Sequence, residues 1–288
     1  MESKPSIKIV DLGLLGNPPI LSGYLLINDM GKAALVESGP TSVVDEYLDR
    51  ALKHVKLEDL EYIFVTHVHL DHSGGAWKLI KENPNIKVIV HEKGARHLID
   101  PRKLVEASKA TLGKIYEFWG DPMPLPEKNV IPVGDQFYEK NFGLRVIYTP
   151  GHASHSTALY LEGSETLFSG DSAGMLIVGE GGVIWPAAPP PFYIDFFRES
   201  LKKLQGLKLK RICFPHYGCS GRPYAVLEEV ANTYEYLSEL LKAKCKEETG
   251  ETVFEEIMSD KRFSKLPRSD YFDLFYRINL RGFEGSCV

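Results

Sequence analysis

The sequence lacks any uninterrupted apolar run that approaches the roughly 18 residues of a membrane-spanning helix. Its first residues, Met1 to Pro5, are polar and do not begin an apolar signal segment. The 288 residues include 43% hydrophobic and 25% charged residues, which is typical of globular proteins. We therefore expect a globular, cytoplasmic protein that does not bind membranes.

An excess of positive charge is also missing. The formal net charge is −5 and the sequence pI is about 6.0. Nucleic acid would therefore need a local basic patch, and none stands out in the sequence. We expect a small-molecule substrate rather than nucleic acid, and a homodimer stays an open alternative.

Cysteine is scarce, and the four residues lie far apart without a close CxxC pair: Cys213, Cys219, Cys245 and Cys287. A chain of this length does not need disulfides to stabilise its fold. A thiolate zinc site would need closely spaced cysteines. The sequence therefore predicts ordinary buried thiols.

Hydrophobic periodicity predicts an α/β chain whose first part contains hairpin-connected strands and a βαβ-like unit. Strands are expected at 7–12, 20–27, 33–37, 62–65 and 88–90, with helices at about 42–54 and 76–81. Turn residues separate the first strands at 16–19, 28–29 and 39–40.

The second part continues this pattern and then becomes helical. Strands are expected near 130–132, 144–149, 157–161, 166–169 and 211–213, and a helical stretch near 104–119. A long helix is expected after Arg222, and two shorter helix candidates lie within 251–288. No repeat or low-complexity linker separates the parts, so we predict a catalytic domain at 1–222 and a helical extension at 223–288 packed on it.

One short segment concentrates metal-ligand residues. The predicted strand at 62–65 runs into Thr66-His67-Val68-His69-Leu70-Asp71-His72, with four potential ligands among six residues. A loop can turn all four toward one point, whereas a regular helix or strand would divide them between faces. Imidazole and carboxylate suit zinc, iron or manganese, and the absence of cysteine disfavours a purely structural zinc site. The segment predicts a catalytic metal site.

Three more ligand-type residues follow other predicted strands: His152, Asp171 and His216. One catalytic metal needs about three protein ligands and a water molecule. Seven ligand-type residues at strand ends therefore divide naturally between two metals. The spacing alone does not say which residue holds which metal.

These motifs, in this order, resemble the metallo-β-lactamase superfamily over about residues 7–220, and within it the glyoxalase II-like branch of metallo-hydrolases. The resemblance implies a four-layer αβ/βα sandwich with metals at the strand ends. It implies a first metal on His67, His69 and His152, a second on Asp71, His72 and His216, and Asp171 bridging both. Glu37-Ser38-Gly39 stands where the family usually has Asp-Thr-Gly, and we interpret it as a structural turn.

The resemblance implies a hydrolase in which two divalent metal ions, zinc first and iron or manganese as alternatives, activate a hydroxide. Small esters are the expected substrates: lactones, thioesters or phosphodiesters. Asp71 and Asp171 are the candidate catalytic residues, and Tyr193 and Tyr217 the candidate substrate contacts. Residues 174–193 do not resemble the corresponding glyoxalase II segment, so thioester specificity is not implied. The alternatives are a mononuclear iron sulfur dioxygenase, similar to persulfide dioxygenases, and a nuclease of the same fold.

Overall fold

The structure, a computed structural model, describes residues 5–12, 20–177, 181–245 and 248–283. The predicted turn at 16–19, Cys287 and the glycine-containing C-terminal end lie outside these ranges. Within them, no helix combines the length and the apolar character that a bilayer crossing requires.

Most strands form two six-stranded sheets. The first sheet contains, in this spatial order, β1 (Ser6–Asp11), β2 (Ser22–Ile27), β3 (Ala33–Val36), β4 (Leu60–Phe64), β5 (Lys87–His91) and β6 (Val130–Val133). The remaining strands are β7 (Tyr138–Glu139), β8 (Leu144–Tyr148), β9 (Thr157–Leu161), β10 (Thr166–Phe168), β11 (Met175–Ile177), β12 (Val183–Trp185), β13 (Arg211–Phe214) and β14 (Gly218–Ser220). The second sheet has the order β14-β13-β10-β9-β8-β7, and β11 and β12 form a separate hairpin.

Strand direction explains where the chain can build a site. In the first sheet, β3 to β6 pair in parallel, while β1 and β2 are antiparallel additions at one edge. In the second sheet, β10 and β13 pair in parallel and the other neighbours are antiparallel. The carboxyl ends of parallel strands meet at the same edge of a sheet, which is where α/β proteins usually place ligands.

Helices connect the strands and cover the sheets. They are α1 (Val44–Ala51), α2 (Leu70–Ser73), α3 (Ala76–Glu82), α4 (Glu92–Ile99), α5 (Arg102–Leu112), α6 (Tyr116–Trp119), α7 (Ile194–Gln205), α8 (Pro223–Lys244), α9 (Gly250–Ser259) and α10 (Asp270–Leu280).

Three hydrophobic clusters show that the layers are helix, sheet, sheet and helix. Alternate residues of one strand point to opposite faces. On β4, Phe64 packs between the two sheets, whereas Ile63 packs against the helices of the first sheet. On β10, Phe168 packs between the sheets and Leu167 packs against α7, α8 and the C-terminal helices. This arrangement confirms the predicted four-layer αβ/βα fold.

The C-terminal helices share the core of the second sheet rather than forming a core of their own. Leu237 on α8, Phe254 on α9 and Tyr276 on α10 belong to the same buried cluster as Ile212 on β13. Trp185 of the β11–β12 hairpin contacts Tyr276, with ring centroids 4.8 Å apart. The domain boundary at residue 222 stays a prediction. The described helices of the C-terminal extension pack directly on the second sheet.

The prediction of buried thiols without disulfides is wrong for Cys213 and Cys219, which form a disulfide, and for Cys245, which is also disulfide-bonded. Cys213 and Cys219 are direct partners in the antiparallel β13–β14 pair, with Cα atoms 4.0 Å apart. The prediction rested on the length of the chain and the wide spacing of its cysteines. Strand pairing nevertheless brings together two cysteines that lie six positions apart in the sequence.

Candidate metal centre

The predicted ligand residues meet where strands of both sheets end. His67 and His69 follow β4, His152 follows β8, Asp171 follows β10, and His216 follows β13. Hydrogen bonds hold the loops of the two sheets together at this edge. The backbone N–H of Thr157 donates to the carbonyl oxygen of Thr66 at 2.8 Å, so the first motif is fastened to the second sheet.

The first motif is partly helical, and its prediction as a loop is wrong in this respect. His69 is extended, with φ −60° and ψ 152°, and Asp71 and His72 lie in the four-residue helix α2. The Ser73 hydroxyl donates to the carbonyl oxygen of Val68 at 2.9 Å and so fixes the turn into α2. A single helical turn after an extended segment can point all four side chains inward, which a longer regular element could not do.

Glycines allow the other ligand loops to approach closely. Gly170 has φ +50°, and a Cβ atom there would lie 2.6 Å from the Thr66 hydroxyl oxygen. Gly151 has φ +142°, and a Cβ atom there would lie 2.6 Å from the Cα atom of Phe197. Positive φ and missing space both require glycine. These two positions deliver Asp171 and His152 to the site.

Three groups of three side chains have the geometry of metal sites. His67, His69 and His152 form the first group, Asp71, His72 and His216 form the second, and His67, His72 and Asp171 form a third that shares members with both. The ligand atoms within each group all lie within 4.8 Å of one another. In the first group, His152 Nε2 lies 3.1 Å from His67 Nε2 and 2.9 Å from His69 Nδ1. The first two groups are the ligand sets that the family resemblance implies.

Asp171 lies between the two groups and directs one carboxylate oxygen at each. Its Oδ2 lies 3.5 Å from His152 Nε2 and 4.0 Å from His67 Nε2. Its Oδ1 lies 3.5 Å from His72 Nε2 and 3.7 Å from His216 Nε2. A carboxylate in this position can contact two cations at once.

The buried polar atoms of the site test whether a metal fits. His72 Nε2 and Asp171 Oδ1 are both buried and lie 3.5 Å apart, and neither makes a hydrogen bond of normal geometry with a described residue. Buried polar atoms without partners are costly, so such atoms in native proteins usually have a ligand. Imidazole nitrogen and carboxylate oxygen are suitable donors for zinc, iron or manganese. The donor set and its two orphaned atoms fit divalent cations.

The electrostatics of the first group favour neutral imidazoles. Burial lowers the pKa of His67, His69 and His152, and the neighbouring histidines lower those of His67 and His69 further. A neutral imidazole keeps the lone pair that a metal needs. Burial together with His152 also lowers the pKa of nearby His155, to about 3. His67, His69 and His152 are therefore neutral and able to coordinate a metal at neutral pH.

The carboxylates give the second group a different character. Burial by itself lowers the pKa of His72, but Asp71, Asp171 and Glu37 more than offset it and raise that pKa well above the usual value. Burial would raise the pKa of Asp71 and of Asp171, but His72 and the other histidines lower both. Both carboxylates are therefore ionised, and a proton on His72 takes the place that a cation would fill.

Glu37 supports the site from behind, which the sequence interpretation as a structural turn missed. This residue is buried, and its φ is +65°. Its Oε1 lies 3.2 Å from His72 Nδ1, and its carboxylate accepts hydrogen bonds from both the N–H and the hydroxyl of Thr66. The acidic residue at the end of β3 could have indicated this role, because carboxylates behind the metal ligands commonly orient ligating histidines.

This network selects the histidine tautomers. Because the Thr66 hydroxyl donates its hydrogen to Glu37, it accepts one from His67 Nδ1, which is 3.1 Å away. His152 Nδ1 likewise lies 2.8 Å from the carbonyl oxygen of Ala187, which can only accept. With Nδ1 protonated in His67, His72 and His152, the Nε2 atom of each is left to bind a metal.

Changing Glu37 to glutamine should weaken metal binding by about 10- to 100-fold, the usual cost of altering a residue behind the ligands. The amide keeps the size of the side chain but loses the charge that holds His72 and Thr66. Chelator competition against the unchanged protein measures the effect. The matched control is Glu139→Gln, because Glu139 is also buried but accepts from the N–H of Phe142, outside the site. Equal metal affinity of E37Q and the parent would contradict the assigned role.

The loop that carries His216 is fixed by the first sheet. The Ser22 N–H donates to the carbonyl oxygen of Pro215 at 2.8 Å, and the Ser22 hydroxyl donates to that of Phe214 at 3.0 Å. The Tyr24 hydroxyl lies within hydrogen-bond distance of the same Phe214 carbonyl. Together with the Cys213–Cys219 disulfide, these contacts position His216 from both sheets.

The two predicted substrate contacts lie in different places. Tyr193 lines the cavity that opens above the metal-ligand residues, and 46% of its surface is exposed. Tyr217 is not among the described residues that line this cavity. Burial and the nearby Asp11 carboxylate raise the pKa of Tyr217. The structure brings Tyr193, but not Tyr217, to the cavity.

Comparisons with known proteins agree with this geometry. The family model described as the metallo-beta-lactamase superfamily matches residues 20–216. The metallo-beta-lactamase fold-containing protein ST1585 of Sulfurisphaera tokodaii is 34% identical over 168 residues, or 56% of this chain and 62% of that protein. Its crystal structure aligns with a TM-score of 0.74 and 26% identity over 98% of this chain and 100% of that chain.

Two further relatives carry functional names. A probable metallo-hydrolase of Methanocaldococcus jannaschii is 30% identical over 152 residues, 52% of this chain and 66% of that protein. A hydroxyacylglutathione hydrolase of Pelagibacter ubique is 26% identical over 214 residues, 73% of this chain and 72% of that protein. In sequence, the chain thus spans just under two thirds of the length of the first two relatives. The region that the family model matches contains every predicted ligand and Glu37.

Proposed function

The chain belongs to the metallo-β-lactamase superfamily of metal-dependent hydrolases, and from that premise we propose that it cleaves small esters with two divalent metal ions. Lactones, thioesters and phosphodiesters are the proposed substrates, and zinc is the proposed metal, with iron or manganese as alternatives. The observation that carries the proposal is Asp171, whose two carboxylate oxygens face two separate ligand groups. A site for a single metal would not need that arrangement.

The first proposed metal is held by His67, His69 and His152, the second by Asp71, His72 and His216, and Asp171 contacts both. Two cations at these positions would lower the pKa of a water molecule and polarise the oxygen of the scissile carbonyl or phosphoryl group. The chain contributes the positions of the ligands, because Glu37 and Thr66 fix the ring nitrogens that face the centre. It also limits solvent, since the ligand side chains are mostly buried.

Asp71 has a second proposed task. It lines the cavity, and its Oδ2 lies 3.4 Å from His216 Nε2. Burial would raise its pKa, but His72 and His216 lower it, so the carboxylate is ionised at the start of a reaction cycle. Asp71 must therefore accept a proton before it can pass one to the leaving group. This order suits hydrolysis, in which the attacking water loses a proton and the leaving group gains one.

A substrate panel on protein of measured metal content tests the proposed function. We expect hydrolysis of at least one lactone, thioester or phosphodiester, and thioesters are included because one relative is named a hydroxyacylglutathione hydrolase. The panel also includes β-lactams, which are cyclic amides and serve as the counterpart of the lactones. Oxygen consumption is recorded in parallel with a thiol persulfide. Oxygen uptake without hydrolysis of any ester would overturn the proposal and favour the iron dioxygenase.

A further inference from the structure

A cavity of about 230 Å³ lies over the metal-ligand residues and is walled by parts of the chain far apart in sequence. Helix α5 contributes Leu104 and Leu112, α10 contributes Phe275 and Ile278, and the segment 189–191 contributes three prolines. These contributions are apolar, although α5 also contributes Ser108 and Thr111. The volume lies below the roughly 300–1,000 Å³ of pockets that hold drug-sized ligands, so the occupant is compact.

The charged residues that line the cavity limit which substrates can bind. Among the described residues that line it, the carboxylates are Asp71 and Asp171, both in the metal centre, and neither lysine nor arginine occurs. A buried anion without a partner is costly. The part of a substrate that extends beyond the metals therefore meets no cation that could compensate a carboxylate or phosphate.

Polar side chains interrupt the apolar wall at Ser108, Thr111, Ser154, His155, Tyr193 and Asn279, and of these Asn279 is the buried one. Asn279 on α10 lines the cavity and is 5% exposed. Its Nδ2 donates to the carbonyl oxygen of Phe275 at 2.9 Å, and because a carbonyl only accepts, this contact fixes which way the amide points. No described residue donates a hydrogen bond to Asn279 Oδ1. Within the described residues, this acceptor is left for a ligand.

From these contacts we propose that the cavity binds an uncharged, mainly aliphatic substituent of the substrate that carries an N–H or O–H group for Asn279 Oδ1. The inference rests on the proposed function, since it names the substrate class of the same site. It makes Asn279 a specificity-determining residue. An ester that carries a carboxylate at this position loses the hydrogen bond to Asn279 Oδ1 and meets no lysine or arginine among the described lining residues, so it should be a poor substrate.

Two matched pairs of thioesters test the proposal. One pair varies the acyl end, with the N-acetylcysteamine thioesters of adipic acid monoamide and of adipic acid. The other varies the leaving group, with hexanoyl thioesters of 3-mercaptopropionamide and of 3-mercaptopropionic acid. Each pair exchanges an amide for a carboxylate of nearly equal size. We expect kcat/KM to favour the amide by about tenfold or more in at least one pair. Values within threefold in both pairs would overturn the proposal.

Variants of the cavity assign the effect to named residues. Asn279→Leu should reduce the preference for the amide by about three- to tenfold, the value of one hydrogen bond between neutral groups. Asn232→Leu is the matched control, because Asn232 is an exposed asparagine on α8. Ser108 lines the cavity on α5, and Ser108→Lys should raise turnover of the carboxylate partner. A misfolded variant cannot produce that gain. Unchanged selectivity in both cavity variants would overturn the assignment.

Binding of inert analogues separates this inference from the proposed function. In these analogues an amide bond replaces the thioester bond of each of the four compounds. Calorimetry measures their affinity for the metal-loaded protein. If no thioester is hydrolysed but the uncharged analogue still binds at least about tenfold more tightly, the ester-cleaving function fails and the cavity assignment holds. If thioesters are hydrolysed without regard to charge, the function holds and the cavity assignment fails.

Discussion

Replacing Asp171 with asparagine is expected to lower kcat/KM by more than about 100-fold, which exceeds the usual cost of altering a residue behind the ligands. The same change should reduce the bound metal from about two ions per chain to one or fewer. The reason is that one carboxylate faces both ligand groups, and asparagine keeps the shape but loses the charge and one acceptor oxygen. Steady-state kinetics and elemental analysis measure the two effects.

Asp195→Asn is the control for this change, because Asp195 is an exposed aspartate on α7 that pairs with Arg198. It should keep the full metal content and activity. Thermal unfolding of the Asp171 variant in the presence of chelator shows whether the chain still folds. A D171N protein with two ions and undiminished turnover would contradict the bridging role of Asp171.

Removing the metals with a chelator is expected to abolish hydrolysis, and adding zinc, manganese or cobalt should restore it. The ligands are fixed by contacts within the protein, including those of Glu37 and of the His216 loop, so the site should persist and refill. Metal binding to the folded chain also stabilises it, so the melting temperature should fall on chelation. Turnover that survives removal of all measurable metal would contradict a metal-dependent mechanism.

The pH dependence of reloading follows from His72. Because Asp71, Asp171 and Glu37 raise its pKa above the usual 6.5 in spite of burial, metal-free protein holds a proton there at neutral pH. A cation must displace that proton, so metal affinity should rise as the pH rises through and above neutrality. Calorimetry in buffers of different ionisation enthalpy should show proton release on binding. Affinity that is independent of pH between 6 and 9 would contradict this account.

The fold was predictable to the extent that strand patterns and ligand motifs are local. The apolar run before His67 marked β4, and the motifs, through their resemblance to the metallo-β-lactamase superfamily, implied the four-layer sandwich that the sheets show. The grouping of the ligands followed from family resemblance, because spacing along the chain does not show which strand ends meet in space. The structure supplies that information through the parallel pairs at one edge.

Other features depend on tertiary contacts that leave little trace in the sequence. Glu37 became recognisable only when the end of β3 was seen against Thr66 and His72. The helix α7 and the β11–β12 hairpin went unpredicted, because Pro189–Pro191 and nearby glycines made that region resemble a loop. The hairpin is stabilised by packing such as that of Trp185 against Phe263, at 5.0 Å between centroids.

The most direct test of the two-metal account is a zinc titration of metal-free protein during hydrolysis of the best substrate of the panel. With protein far above the dissociation constant, activity should rise until about two equivalents have been added and then stay constant. The same titration of D171N should not reach that plateau. Full activity at one equivalent, with no change on adding the second, would contradict the claim that both ligand groups take part in catalysis.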